Sequence, residues 1–382
     1  MDMNKKHQTI KRRHEHIHFI LPSLDTGGGE IAFIQIANAL SKRKHTVVFH
    51  SLINRNSLQS RLNDNISFSP LTQNKRVFPG ILFSLFSLTC IIRNHPNQVY
   101  ISTLTGTNLL LLLAKTLAGG KATTIIVEAS TKANRPSVLI TWLIKHFYPK
   151  ANSIISVSED VNRDLLSRIG KRADVSRMRI VPNPVDIEKA LRHLDESKHT
   201  YQESERRISL LAVGRLTEAK GYELLIRAFS QSNAGKTAKL TIVGGGELDS
   251  SLKDLTRSLG QEKNVFFTGN VDNPYTYFNS SDVFILSSLW EGLPLVLLEA
   301  MAMKIPRVIL SDCPGSMSEE LSSLHCVDVF SSGNIESLSQ TIRDSINHST
   351  YEKSDYSYLL TPYFLENVVD KYEETLNEIT HR

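Results

Sequence analysis

Short apolar runs alternate with longer segments of helical spacing from one end of the chain to the other, the pattern of βαβ units and a parallel sheet. Residues 16–24 predict a first strand, and residues 30–41, with Ile31, Ile34, Ala37 and Leu40 on one stripe, predict the helix that follows it. A second strand is expected at 46–52. Strands at 98–103, 123–127 and 153–157 then alternate with helices at 107–118, 137–147 and 159–169. Between Ile187 and Arg207 the sequence turns polar, and strand-like residues resume at 208–213, which places a linker at 187–207. The second half repeats the alternation with helices at 221–230, 248–259 and 294–302 and strands at 239–243, 265–268, 283–286 and 307–310. The expectation is an α/β protein of two doubly wound halves, residues 1–186 and 208–362, with a C-terminal helix in 363–382 packing back on the first. In such sheets ligands bind outside the carboxyl ends of the strands, so two halves facing each other enclose a cleft.

The 382 residues agree with two domains, since one domain ordinarily takes about 100 to 200. A composition of 41% apolar and 22% charged residues excludes wholesale disorder and fibrous repeats. The net charge of +5 suits an anionic ligand or a membrane surface and is too small to argue for nucleic acid. Cys90, Cys313 and Cys326 are odd in number, far apart and without CxxC spacing, as expected of a cytoplasmic chain in a reducing compartment. The basic start MDMNKKHQTIKRRHEH is not followed by the apolar core of a signal peptide, so secretion is not expected. The most apolar segment, 78–92 between Lys75, Arg76 and Arg93, contains three serines. It reads either as a buried core helix or as a helix lying on a bilayer surface.

Four loops that follow strands carry candidate chemistry. Gly27, Gly28 and Gly29 stand between the first strand and its helix, where backbone can approach a phosphate closely. With Ala32 they satisfy a dinucleotide fingerprint. The acidic residue this fingerprint requires after the second strand is missing from His50–Arg55, which counts against nicotinamide binding. Gly214, Arg215 and Lys220 follow the strand at 208–213, and the planar fork and the mobile ammonium together suit a diphosphate. Gly244, Gly245 and Gly246 repeat the strand-glycine-helix arrangement. Glu291 precedes Gly292, Leu293 and Pro294, the latter suited to the first turn of a helix that carries Glu299. Two carboxylates so spaced can accept sugar hydroxyls at two depths of a cleft; paired carboxylates also serve glycoside hydrolysis.

GRLTEAKG, VGGGEL, VFFTGNV and above all EGLPLVLLEAM, with seven residues between its glutamates, resemble the retaining GT-B glycosyltransferases of family 4. TGGGEIAFIQIANAL, VSEDVNRDL and VPNPVD extend the resemblance through the first half. It implies two Rossmann-like domains, an N-terminal one for the acceptor and a C-terminal one for a nucleotide-sugar. It also implies that Arg215 and Lys220 hold the donor diphosphate with no essential metal or other cofactor, and that Glu299 binds the ribose. Glu291 would face the donor sugar beside the amides of Gly292 and Leu293, and Gly28 and Gly29 would lie near the diphosphate. The resemblance further implies a cell-surface glycan, such as lipopolysaccharide, O-antigen or capsule, built from a UDP- or GDP-sugar on a saccharide or lipid-linked acceptor, at the cytoplasmic membrane face. Two departures accompany it. Glu128 followed by alanine stands where many relatives carry a histidine, and is read as a sugar or acceptor contact. The segment 311–320 follows the family's glycine-rich loop only in part. A noncatalytic sugar-nucleotide-binding partner is the alternative in another functional class.

Overall fold

The computed structural model describes residues 16–24, 27–74, 77–131, 137–193, 207–347 and 352–380. The basic start, Asp25 and Thr26 of the glycine loop, Lys75 and Arg76, and most of the polar linker lie outside the described residues. The first sheet contains β1 (His16–Leu21), β2 (Thr46–Ser51), β3 (Ser67–Phe68), β4 (Val99–Thr103), β5 (Thr123–Glu128), β6 (Ser153–Ser156) and β7 (Met178–Ile180), in the order β3-β2-β1-β4-β5-β6-β7. The second contains β8 (Ile208–Val213), β9 (Ala238–Val243), β10 (Val265–Phe267), β11 (Val283–Leu286), β12 (Arg307–Ser311) and β13 (Val327–Phe330), in the order β10-β9-β8-β11-β12-β13. The pairings within both sheets are parallel. Each order reverses beside the first strand of its half, which is the doubly wound arrangement expected.

Strand periodicity assigns each residue to a layer. Ile17, Phe19 and Leu21 of β1 belong to one core, whereas Ile20 faces another. The outer core of the N-terminal lobe packs β-sheet residues against helices Val77–Asn94, Thr105–Leu117, Val138–Phe147 and Glu159–Ile169. In the C-terminal lobe, Leu210, Ala212 and Ile285 point to helices Tyr222–Gln231 and Ile335–Ile346, while Leu211, Phe284 and Leu286 point the other way. Those inner-facing residues join one continuous apolar cluster with the inner face of the first sheet. Helices Gly28–Lys42, Leu295–Ala302 and Leu365–Thr380 supply the side chains between.

The C-terminal helix Leu365–Thr380 lies across the first lobe. It buries Val368, Val369, Tyr372 and Leu376, and Arg43 reaches Glu366, Asp370 and Glu373 at 2.5, 2.6 and 2.9 Å. The strands that periodicity did not predict, β3, β7 and β13, occupy sheet margins and span two to four residues, too short to show alternation. The first strand stops at Leu21 because Pro22 offers no N–H, and Leu24 instead donates to the carbonyl of Arg55. Among the described residues no helix is long and apolar enough to cross a membrane.

Candidate active site

The carboxyl ends of β1, β8, β9 and β11 converge on a cleft between the lobes. It comprises adjoining cavities of ≈ 700 and ≈ 600 Å³ that share Gly27, Gly28, Gly214 and Arg215 on their walls. Gly28 opens helix Gly28–Lys42 and faces Leu295 of the opposite lobe, where a Cβ would come within 3.4 Å of Leu295 Cδ1. Gly29 stands beside open space. Gly244 and Gly245 line the larger cavity; Lys220, Leu293 and Glu299 line the smaller.

The loop after β8 is stitched to the loop after β11, and that stitching places the lysine. Residues Glu218–Lys220 form a single 3-10 turn ended by Gly221 at φ 62°. A side chain at 221 would meet the carbonyl oxygen of Ser287 at 2.1 Å, so only glycine permits the approach. Ser287 Oγ donates to the Lys220 carbonyl at 2.9 Å, and the Leu289 amide donates to Ala219 O at 2.8 Å. The Lys220 ammonium then lies 2.6 Å from Glu291 Oε1, which also accepts from Ser288 Oγ at 2.6 Å. Arg215 is different. Its side chain is 70% exposed, stands 3.8 Å from Glu247 and lines both cavities.

The Glu291 loop is held from the other lobe. Thr131 donates its hydroxyl to Glu291 O at 2.5 Å and its amide to the same oxygen at 3.1 Å. Ser158 Oγ donates to Gly292 O at 2.7 Å, and the Gly315 amide donates to Asp160 Oδ2 at 2.6 Å. A Cβ on Gly292 would meet Ala129 O at 1.9 Å, so the two lobes touch here backbone to backbone.

Glu299 projects from helix Leu295–Ala302 toward Tyr275, whose hydroxyl donates to Oε1 at 3.3 Å. Burial is the largest influence on this carboxyl and raises it to about 7, against the lowering effects of the Tyr275 hydrogen bond and of Lys189. Lys189 is one of several site residues that the sequence reasoning did not single out. It lines the cavity with Asn183 and Asp186, and its ammonium lies 5.7 Å from the centroid of the Tyr275 ring. The VPNPVD segment was the available signal: Asp186 caps helix Ile187–Arg192 by accepting the Lys189 amide, which turns this segment toward the cleft. Glu128 lies below the cleft rather than in its wall. It is 2% exposed, and its oxygens accept Thr105 Oγ1 at 3.0 Å and the Tyr148 hydroxyl at 2.7 Å. Its neighbour Ala129 lines the cavity in its place.

Residues 26–189 match the family described as Glycosyltransferase Family 4, and residues 195–356 match Glycosyl transferases group 1. An uncharacterized glycosyltransferase of Methanocaldococcus jannaschii is 31% identical over 243 residues, 62% of this chain and 54% of that relative, so the chain spans about half its length. A Campylobacter jejuni protein, GalNAc-alpha-(1->4)-GalNAc-alpha-(1->3)-diNAcBac-PP-undecaprenol alpha-1,4-N-acetyl-D-galactosaminyltransferase, is 27% identical over 303 residues, covering 76% of this chain and 78% of its own. Among solved structures, Anabaena Alr3699/HepE in complex with UDP and glucose superposes with a TM-score of 0.76 at 16% identity, over 95% of this chain and 100% of that one. The paired parallel sheets, the cleft at their carboxyl ends and the two family matches, one for each lobe, place the chain among the group 1, family 4 glycosyltransferases of GT-B fold.

Proposed function

We propose that the protein transfers a sugar from a nucleotide-sugar, a UDP- or GDP-sugar, to a saccharide carried on a lipid diphosphate, with retention of anomeric configuration, in surface-glycan synthesis. The observation that carries this reading is the Lys220–Glu291 pair at the junction of the lobes, whose lysine lines the same cavity as Arg215 and Glu299. The C. jejuni relative is named for a saccharide acceptor on diphospho-undecaprenol, and the Anabaena neighbour holds UDP, which supports both substrate classes.

Breaking the bond from the anomeric carbon to the diphosphate oxygen leaves negative charge on the departing diphosphate. Lys220 and Arg215 stabilise that charge together with the amides of Gly292 and Leu293, without an essential metal ion. Glu291 keeps the ammonium in place before the donor arrives and turns its carboxylate toward the sugar. The acceptor hydroxyl attacks from the face the diphosphate leaves, forming the new carbon–oxygen bond and passing its proton to the departing phosphate oxygen. Glu299 receives the ribose hydroxyls at the depth of the pocket, and Gly28, Gly29, Gly214, Gly244 and Gly245 let the diphosphate and base lie close to backbone.

The test is incubation with a panel of UDP- and GDP-sugars and undecaprenyl-diphosphate-linked saccharides, with product anomers read by NMR. Transfer that is unchanged by EDTA, and a kcat reduced roughly 10²–10³-fold in Lys220→Ala, are expected. An absence of both transfer and donor hydrolysis across the panel refutes the reading.

A further inference from the structure

The segment 78–92 is half of a larger surface. Helix Val77–Asn94 buries Ser84, Leu88 and Ile92 against the first lobe and leaves Leu82, Phe83 and Phe86 outward, with Phe86 71% exposed. Helix Val138–Phe147 does the same: Ile144 is buried, while Val138, Leu139 and Trp142 are 88%, 64% and 52% exposed. Helix Thr105–Leu117 packs between them on the same face of the sheet. The bare apolar residues fall in the first half of helix Val138–Phe147 and around the middle of helix Val77–Asn94. Crossover helices run back from the carboxyl edge of a parallel sheet, so the first half of Val138–Phe147 lies at the edge where the cleft opens and the bare residues of Val77–Asn94 continue the surface away from it.

Charge says what covers this surface. From residue 65 to residue 158 the sequence holds nine lysines and arginines and a single acidic residue, Glu128, which is buried. The remainder of the chain is therefore net acidic, because the whole carries only +5. Among the described cations of this span, Arg93, Lys121, Lys145 and Lys150 are exposed. Arg93 and Lys145 belong to the same two helices as the exposed phenylalanines, leucines and tryptophan, and with no exposed carboxylate in the span this is the makeup of a helix pair seated in the headgroup layer of an anionic bilayer.

We infer that helices Val77–Asn94 and Val138–Phe147 together form a docking surface for an anionic lipid bilayer, set beside the cleft mouth. The inference rests on the reading of a lipid-linked acceptor, because docking by this edge presents the cleft to an acceptor whose lipid stays in the membrane.

The experiment sediments the full chain with vesicles of phosphatidylglycerol and phosphatidylethanolamine, and separately with phosphatidylcholine vesicles, while UDP binding is measured by calorimetry without vesicles. Binding to the anionic vesicles that weakens with salt is expected, together with a blue shift of tryptophan emission that is lost in Trp142→Phe. The variants Phe83→Ser/Phe86→Ser and Leu139→Ser should bind the vesicles at least tenfold more weakly, with unchanged thermal midpoints and unchanged UDP affinity. Failure of the wild type to bind anionic vesicles at low salt overturns the inference, as does undiminished binding by the serine variants. A dimer in solution that those variants dissociate also overturns it, by showing that a second copy covers the face. Retained UDP binding in any of these cases leaves the donor reading standing, so the two fail separately.

Discussion

Glu299 shows how a single side chain ties stability to ligand binding. Its carboxyl is raised to about 7 mainly because the fold removes it from water, and Lys189 and the Tyr275 hydroxyl offset that only in part. The folded value lies above the unfolded one, so the stabilising contribution is complete below about 4.5 and is lost as pH rises through about 7. Glu299→Gln keeps the shape and cannot ionise. In the ligand-free protein its thermal midpoint should therefore fall less than that of the wild type between pH 5 and pH 8, a comparison that scanning calorimetry reads directly. UDP affinity should run the opposite way, weakening below about pH 7 in the wild type, because ribose hydroxyls are best received by the ionised carboxylate. A flat UDP affinity from pH 5.5 to 8 would separate Glu299 from the ribose. The motif spacing made this residue legible as a ligand contact, but its titration depends on Tyr275 and on Lys189, which reach it only through the fold.

At the scale of elements, most of the architecture follows from alternation that can be read along the chain. The helix Glu159–Ile169 and the strands Ile208–Val213 and Val283–Leu286 have the bounds that periodicity gives them, because caps and sharp changes in polarity mark their ends. The sheet margins do not, since a strand such as Ser67–Phe68 is defined by its pairing to Val48 and Phe49 rather than by its own pattern. The same limit applies to polar groups buried within a sheet. Three adjacent strands bring together His18 of β1, His50 of β2 and Tyr100 of β4, with His18 and His50 stacked at 5.2 Å. The Ser69 carbonyl accepts from His50 Nδ1 at 3.0 Å, so Nε2 of the neutral His50 ring accepts from His18 Nδ1 across 2.9 Å, and Gln98 Oε1 lies 2.5 Å from His18 Nε2. Burial, reinforced by His18, lowers His50 to about 4. Here the folded value is below the unfolded one, so the stability this arrangement supplies is present above about 6.5 and is lost as pH falls toward 4. Urea midpoints of the wild type should drop between pH 7 and pH 4.5, and the drop should be smaller in His50→Gln, whatever stability that variant has at pH 7.

For the molecule as a whole, the question is what makes two lobes act as one site. Two kinds of contact join them, and they have different consequences. The apolar cluster beneath the cleft and the Arg43 ion pairs with the C-terminal helix set the lobes on a common support. Thr131, Ser158 and Asp160 instead reach across the cleft to Glu291 O, Gly292 O and the Gly315 amide, all backbone groups of the loops that present Lys220's partner and the amides beside it. A hydrogen bond of this kind contributes about 1 kcal/mol of net stability, too little to fold a lobe but enough to shift a balance between open and closed arrangements. Its loss should therefore appear in turnover rather than in folding. Thr131→Val and Ser158→Ala should each lower kcat by roughly tenfold. UDP affinity should change less than twofold, because Arg215, Lys220 and Glu299, the charged groups assigned to the diphosphate and ribose, belong to the C-terminal lobe, and the thermal midpoint should be nearly constant. Thr131→Ser keeps the hydroxyl and should recover most of the rate, while a Thr131→Ser as slow as Thr131→Val would assign the loss to packing instead. Small-angle scattering with UDP bound supplies the structural readout: the Thr131→Val/Ser158→Ala double variant should have a larger radius of gyration than the wild type, and equal radii would mean that these bonds do not hold the lobes together.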